Sequence, residues 1–105
     1  MPNLPLSKQD VIELGELLKS LAKFESNIRL QYLPDSKVPD RIYVQVRSHC
    51  TFGKYKVLRY AKYVGKKDDY TPEDLNKATE YIRQQHMDFV NNEAKKIKCR
   101  IEDFA

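Results

Sequence analysis

A chain of 105 residues with 41% apolar residues, 32% charged residues and only 3 Gly is sized for one domain with one modest core, and it is too rich in apolar residues for a disordered polymer. Its formal net charge of +4 is too small to identify a partner, and it holds no run of about 20 apolar residues that would span a bilayer as a helix. The charges are unevenly placed: residues 41–67 hold Arg41, Arg47, Lys54, Lys56, Arg59, Lys62, Lys66 and Lys67 with no Asp or Glu, whereas residues 1–40 carry net −1 and residues 68–105 net −3.

The start, Met1-Pro2-Asn3-Leu4-Pro5-Leu6, lacks the basic opening and apolar run of a secretory signal. Residues 1–6 are therefore expected to be a flexible N-terminus, and the protein to stay inside the cell, in the cytoplasm with the nucleus left open. Cys50 and Cys99 are then expected as free, small buried groups, because a reducing compartment keeps small domains without structural disulfides.

Ser7 followed by Asp10 resembles a capping box with Asp in place of Glu, and Val11, Leu14, Leu18 and Leu21 recur at helical spacing. A first helix is predicted over 8–23, with Leu17 and Phe24 widening its buried stripe. Residues 27–33 change to period two, which puts Ile28, Leu30 and Tyr32 on one face and Arg29 and Gln31 on the other. After the turn 34–40 the same grammar returns: Ile42, Val44 and Val46 point inward, and Arg41, Tyr43, Gln45 and Arg47 outward. A connection of this length suits an antiparallel hairpin.

Ser48–Gly53 is predicted as the next turn, with Gly53 available for a positive φ. Lys54–Val64 fits two periods. As a strand it groups Tyr55, Val57, Ala61 and Tyr63, interrupted by Arg59; as a helix it groups Val57, Leu58, Ala61 and Val64. Its tyrosines and the preceding turn favour the strand. Thr71-Pro72-Glu73-Asp74 then marks a helix start at 72, with a capping hydroxyl, a proline at the first helical position and two acids at the positive end of the dipole.

The apolar stripe of this last helix, Leu75, Ala78, Ile82 and Phe89, continues through Val90, Ala94, Ile97 and Ile101 without Pro or Gly. A helix reaching residue 100 would be roughly 45 Å long, more than a small sheet covers. Either it breaks near Asn91-Asn92, or its C-terminal half finds a partner. Val90, Ala94, Ile97, Ile101 and Phe104 fit a homodimer seam, which makes 91–105 a separate interaction segment, and they fit equally a tail folded back on the same core.

The elements together predict a small single-domain α+β fold in α-β-β-β-α order, with a three-stranded antiparallel sheet packed against an N-terminal helix and a long C-terminal helix. That order resembles double-stranded-RNA-binding domains in topology alone. Where such domains enter their last helix with lysines, this chain has Glu73 and Asp74, so the likeness carries no family membership.

The acid-free stretch points to nucleic acid. Arg29, Gln31, Arg41, Tyr43, Gln45 and Arg47, joined by Lys54 and Lys56, are expected on one outward sheet face, where guanidinium and amide groups suit phosphates and base edges. Arg59, Lys62, Lys66 and Lys67 complete the positive set, and Tyr43 and Tyr60 are candidates for stacking on unpaired bases. A plain solvated face explains the same polarity, since one side of an antiparallel sheet normally meets water; the missing acids are what weigh against it. DNA or RNA is the expected partner. The alternative is an adaptor or inhibitor whose basic face docks on an acidic protein.

No metal or cofactor is expected. His49, Cys50, His86 and Cys99 include zinc-ligand types, but no CxxC or HxxxH pair sets two of them on one turn. His49 reads as a turn residue, His86 as a helix-surface residue, and Asp68-Asp69 as surface acids before a helix. Without a Gly-rich phosphate loop, GxSxG or HExxH, the chain is not expected to be an enzyme.

Overall fold

The structure, a computed structural model, describes residues 7–97. The expectations for residues 1–6, Cys99, Ile101 and Phe104 lie outside the described residues. The element order is α1 (Lys8–Ser26), β1 (Arg29–Pro34), β2 (Ile42–Phe52), β3 (Lys56–Lys66) and α2 (Pro72–Lys96). The strands form one antiparallel sheet in the order β1-β2-β3, so the α+β arrangement read from the sequence is the one observed.

Both helices begin with reciprocal caps. The Asp10 N–H donates to Ser7 Oγ (3.1 Å) while the Asp10 carboxylate accepts from the Ser7 N–H (3.2 Å). Thr71 and Asp74 repeat the pattern at 3.1 and 3.0 Å, ahead of Pro72. Each cap satisfies donors that have no partner inside the helix. Thr71→Ala is therefore expected to lower stability by about 1 kcal/mol, read as a shifted urea midpoint with an unchanged slope.

The helices lie on one face of the sheet and run antiparallel. Phe24 stacks on His86 and Glu25 pairs with Arg83, whereas Leu14 and Leu17 cluster with Val90, Ala94 and Ile97 at the opposite end of both helices. A second cluster joins Phe24, Ala78 and Ile82 to Val44, Val46, Cys50 and Val64 of the sheet. Helix α2 thus runs unbroken through Asn91-Asn92, its first half over the sheet and its second half against α1. Val90 (0% exposed), Ala94 (1%) and Ile97 (7%) are buried within this chain, so the described part of the supposed dimer seam already has its partner. The contacting arc of α1 is Leu14, Leu17, Ser20 and Phe24. Val11 and Leu18, expected in the stripe, stand exposed because the covered arc is rotated toward β2 and α2.

Strand β2 is longer than its sequence suggested. Ser48 and Cys50 continue the inward alternation, and Ser48 Oγ donates to the Phe24 carbonyl at 2.6 Å, so a polar residue at an inward position is satisfied without ending the strand. The turn falls later, at Gly53-Lys54-Tyr55, where Gly53 has φ +70°. His49 is accordingly a strand residue.

One residue of β3 alters which side chains face outward. Gln45 pairs with Tyr63 but Val44 pairs with Gly65, leaving Val64 as an extra residue in β3. Val64 turns into the core, and Lys66 pairs with Tyr43 on the outer face. Without that insertion the period of two would put Lys66 on the helix side. Gly65 lets Tyr70 pack closely: a Cβ there would lie 3.0 Å from Tyr70 Cβ, tighter than ordinary van der Waals contact.

Candidate functional site

The register assigns each basic and aromatic residue to a side of the sheet. Across the outer face the rows are Leu33, Tyr43 and Lys66; then Gln31, Gln45 and Tyr63; then Arg29, Arg47 and Ala61; then His49 and Arg59; then Thr51 and Val57. The helix-side row includes Lys56 beside Phe52, Leu58 beside Cys50, Tyr60 beside Ser48 and Lys62 beside Val46. Arg29, Tyr43, Gln45, Arg47, Arg59 and Lys66 therefore share the outer face. Lys56 and Lys62 do not.

Both of those lysines lie over aromatic rings of α2. Lys56 Nζ sits 5.0 Å from the Phe89 centroid, and Lys62 Nζ 4.3 Å from that of Tyr81. Each ammonium stays wet while its stem covers an otherwise exposed flank of the helix layer. Tyr60 also departs from its expected place. It points inward, edge-on to Phe24 at 5.3 Å, and its hydroxyl lies 2.9 Å from His86 Nδ1, so it is not a stacking platform. The misplacement follows from parity: in a strand starting at Lys56, even-numbered residues face the helices up to Val64.

Arg29, Arg47 and Arg59, one from each strand, line a single open depression of about 380 Å³ together with Asn27, Gln31, Ser48 and His49. None of these lining residues is acidic. Arg47 donates to Gln31 Oε1, and Arg29 Nε to the Asn27 carbonyl at 3.4 Å. Asn27 in turn donates to the His49 carbonyl at 3.0 Å, tying the end of α1 to the rim. These hydrogen bonds orient the guanidinium groups without neutralising them.

A second depression, about 400 Å³, lies further along the same face and is lined by Leu33, Pro34, Asp35, Ser36, Tyr43, Gln45 and Tyr63. Its floor is the Tyr43–Tyr63 pair, with centroids 5.6 Å apart and planes at 56°. The Tyr43 hydroxyl donates to Asp35 at 3.2 Å, which fixes that ring. Backbone N–H groups of Lys37 and Val38, together with Tyr43 and Arg41, hold the Asp35 carboxyl below its ordinary range.

The far end of the sheet is less positive than the linear sequence implies. Arg41 lies 3.9 Å from Asp35, and a third hollow gathers Arg41, Lys66 and Lys67 with Asp40, Asp68 and Asp69. The acids that border residues 41–67 in sequence, Asp40 and Asp68-Asp69, gather there with Asp35, because the loops flanking β2 and β3 meet at that end. Lys54 stands at the opposite end, in the hairpin turn next to Tyr55, which is 93% exposed. The uncompensated charge is centred on Arg29, Arg47 and Arg59.

The core holds a polar cluster around His86, which was expected on the helix surface and is buried instead. His86 is 1% exposed and nearly parallel to Phe24 (4.8 Å) and Phe89 (6.1 Å). Ser20 Oγ donates to the Leu17 carbonyl at 2.7 Å and so must accept from His86 Nε2, 3.3 Å away. Nδ1 is left to accept from Tyr60. Burial pushes the Tyr60 phenol up to about 12, raises the Cys50 thiol and lowers His86, so all three are neutral near pH 7. Ser20 is 0% exposed and its proton is already committed, so the Ser–His pair is structural packing. The signal was present in the sequence: Ala78, Ile82, His86, Val90 and Ala94 recur every four residues. Among the described residues no three His, Cys, Asp or Glu side chains converge on a metal position, and no helix is long and apolar enough to cross a membrane.

Compared with protein-family models, curated proteins and solved structures, the chain matches none.

Proposed function

We propose that this domain binds nucleic acid, without catalysis, through the outer face of its sheet. The observation that carries the reading is the meeting of Arg29, Arg47 and Arg59, from three strands, around one depression on the face away from both helices. Guanidinium groups suit phosphate because they present paired donors in a fixed plane and stay charged at every physiological pH. Gln45 beside them offers both a donor and an acceptor to a base edge. The binding surface is narrower than residues 41–67. It consists of Arg29, Tyr43, Gln45, Arg47, Arg59 and Lys66, with Lys54 at the hairpin turn, and the cytoplasm is its proposed place of work.

Affinity for DNA or RNA should fall linearly with salt on logarithmic axes. For about three phosphates neutralised, the expected slope is roughly −2 to −3. An ionic-strength titration followed by fluorescence anisotropy measures it. If no form of DNA or RNA gives salt-sensitive binding at micromolar protein, the reading is lost. Capture of an acidic protein that survives nuclease treatment would replace it with the adaptor alternative.

A further inference from the structure

Resting on that reading, we infer that the ligand is an unpaired strand, with a phosphate in the Arg29–Arg47–Arg59 depression and a base against the Tyr43–Tyr63 pair. The two depressions differ in chemistry although they share a face. One is lined by three cations, and the other has two aromatic rings with Leu33, Pro34 and the Asp35 carboxylate. Tyr43 precedes Arg47, and Arg59 precedes Tyr63, by four strand residues, a separation of about 13 Å.

A duplex meets only half of this surface. Its phosphates would satisfy the arginines, but the flat faces of its bases are stacked on one another and cannot reach tyrosine rings. An aromatic hollow that also carries the Asp35 carboxylate has nothing to offer a second phosphate, whereas a splayed base can stack in it. Tyr63 is 51% exposed, and Tyr43 is held by Asp35, so a platform exists before any ligand arrives.

The test compares labelled single-stranded DNA, single-stranded RNA and the matching duplexes by anisotropy, with native protein, Tyr63→Ala and Tyr63→Phe. Single strands should bind at least about tenfold more tightly than duplexes, and Tyr63→Ala should weaken single-strand binding by about 5- to 150-fold. Its salt slope should not change, since no cation is removed. Tyr63→Phe keeps the ring and should bind as the native protein does. Far-UV circular dichroism and the urea midpoint confirm that both variants fold, as expected for an exposed position. Preference between the DNA and RNA strands tells which sugar is accommodated, and either preference supports the inference. Equal or tighter duplex binding, or unchanged affinity in Tyr63→Ala, overturns it while leaving salt-dependent nucleic-acid binding intact. Absence of any salt-sensitive binding removes the proposed function and this inference together.

Discussion

Replacing Arg29, Arg47 and Arg59 together by glutamine is expected to weaken nucleic-acid binding by more than about a hundredfold, at three charge-assisted hydrogen-bonding groups of at least about 1 kcal/mol each. The salt slope should flatten by about 2 to 3, one increment of roughly 0.7–0.9 for each phosphate no longer neutralised. All three side chains are exposed and lie on the face away from the core, so the urea midpoint should stay close to that of the native protein. A charge-neutralised control sharpens the outcome. Lys56→Gln with Lys62→Gln removes positive charge from the helix side of the sheet, where both ammonium groups lie over α2 rings. That pair should cost about 0.5–1 kcal/mol of stability per lysine, since glutamine has no charge to set against the ring, and leave most of the salt slope in place. If both variants weaken binding equally, net charge rather than the outer face is responsible.

The second large effect is on stability, at His86. His86→Ala should cost about 3–5 kcal/mol, because it empties a site between Phe24 and Phe89 and leaves the Tyr60 hydroxyl without its acceptor. In a domain of ordinary stability that is a large fraction of the total. The same residue sets a pH dependence. Burial lowers its folded-state value below 6.5, so the unfolded chain takes up the proton first and stability falls as pH drops below that point. The contribution is fully present above the ordinary value of 6.5 and is lost progressively as pH falls below it, at no more than about 1.4 kcal/mol per pH unit. The groups facing the imidazole are Ser20 of α1, Cys50 of β2 and Tyr60 of β3, with Glu25 and Arg83 paired at the mouth of a small crevice leading to it. The last pair is bidentate, at 2.9 and 3.2 Å, so Glu25 is engaged by Arg83 as well as attracting a proton to His86. Urea midpoints at pH 7.5 and 5.5 check the prediction. His86→Phe keeps the stack but cannot titrate, and its midpoint should change less across that interval. Asp35 and Asp74, whose carboxyls are held low by backbone donors, lose their contribution only at more acidic pH.

Local signals were legible wherever a few neighbouring residues decide the outcome. Ser7 with Asp10, and Thr71-Pro72 with Asp74, fix helix starts through hydrogen bonds spanning three residues, and both were readable as written. Ile42, Val44 and Val46 against Tyr43, Gln45 and Arg47 marked the two faces of β2, because one side of that strand is buried and the other wet. The same rule failed at Ser48 and His86. Each is polar and buried, and each sits in regular structure because a distant group satisfies it: the Phe24 carbonyl for Ser48, and Ser20 with Tyr60 for His86.

The sequence by itself determined the two helices and their caps, the outward side of β1 and β2, and the concentration of positive charge in the middle of the chain, and left the third strand open between two periods. Tertiary structure alone decided which cations work together. Strand pairing joined Arg29 to Arg47 and Arg59, while the parity of β3 turned Lys56 and Lys62 toward α2 and one extra residue, Val64, returned Lys66 to the outer face. Pairing of β2 with β3 then brought the Asp40-Arg41 segment against Lys66–Asp69, and folding of the preceding loop set Asp35 beside Arg41. The physical reason is range. Capping and alternation act over two to four residues, whereas a surface potential sums charges that only folding brings within a Debye length of one another.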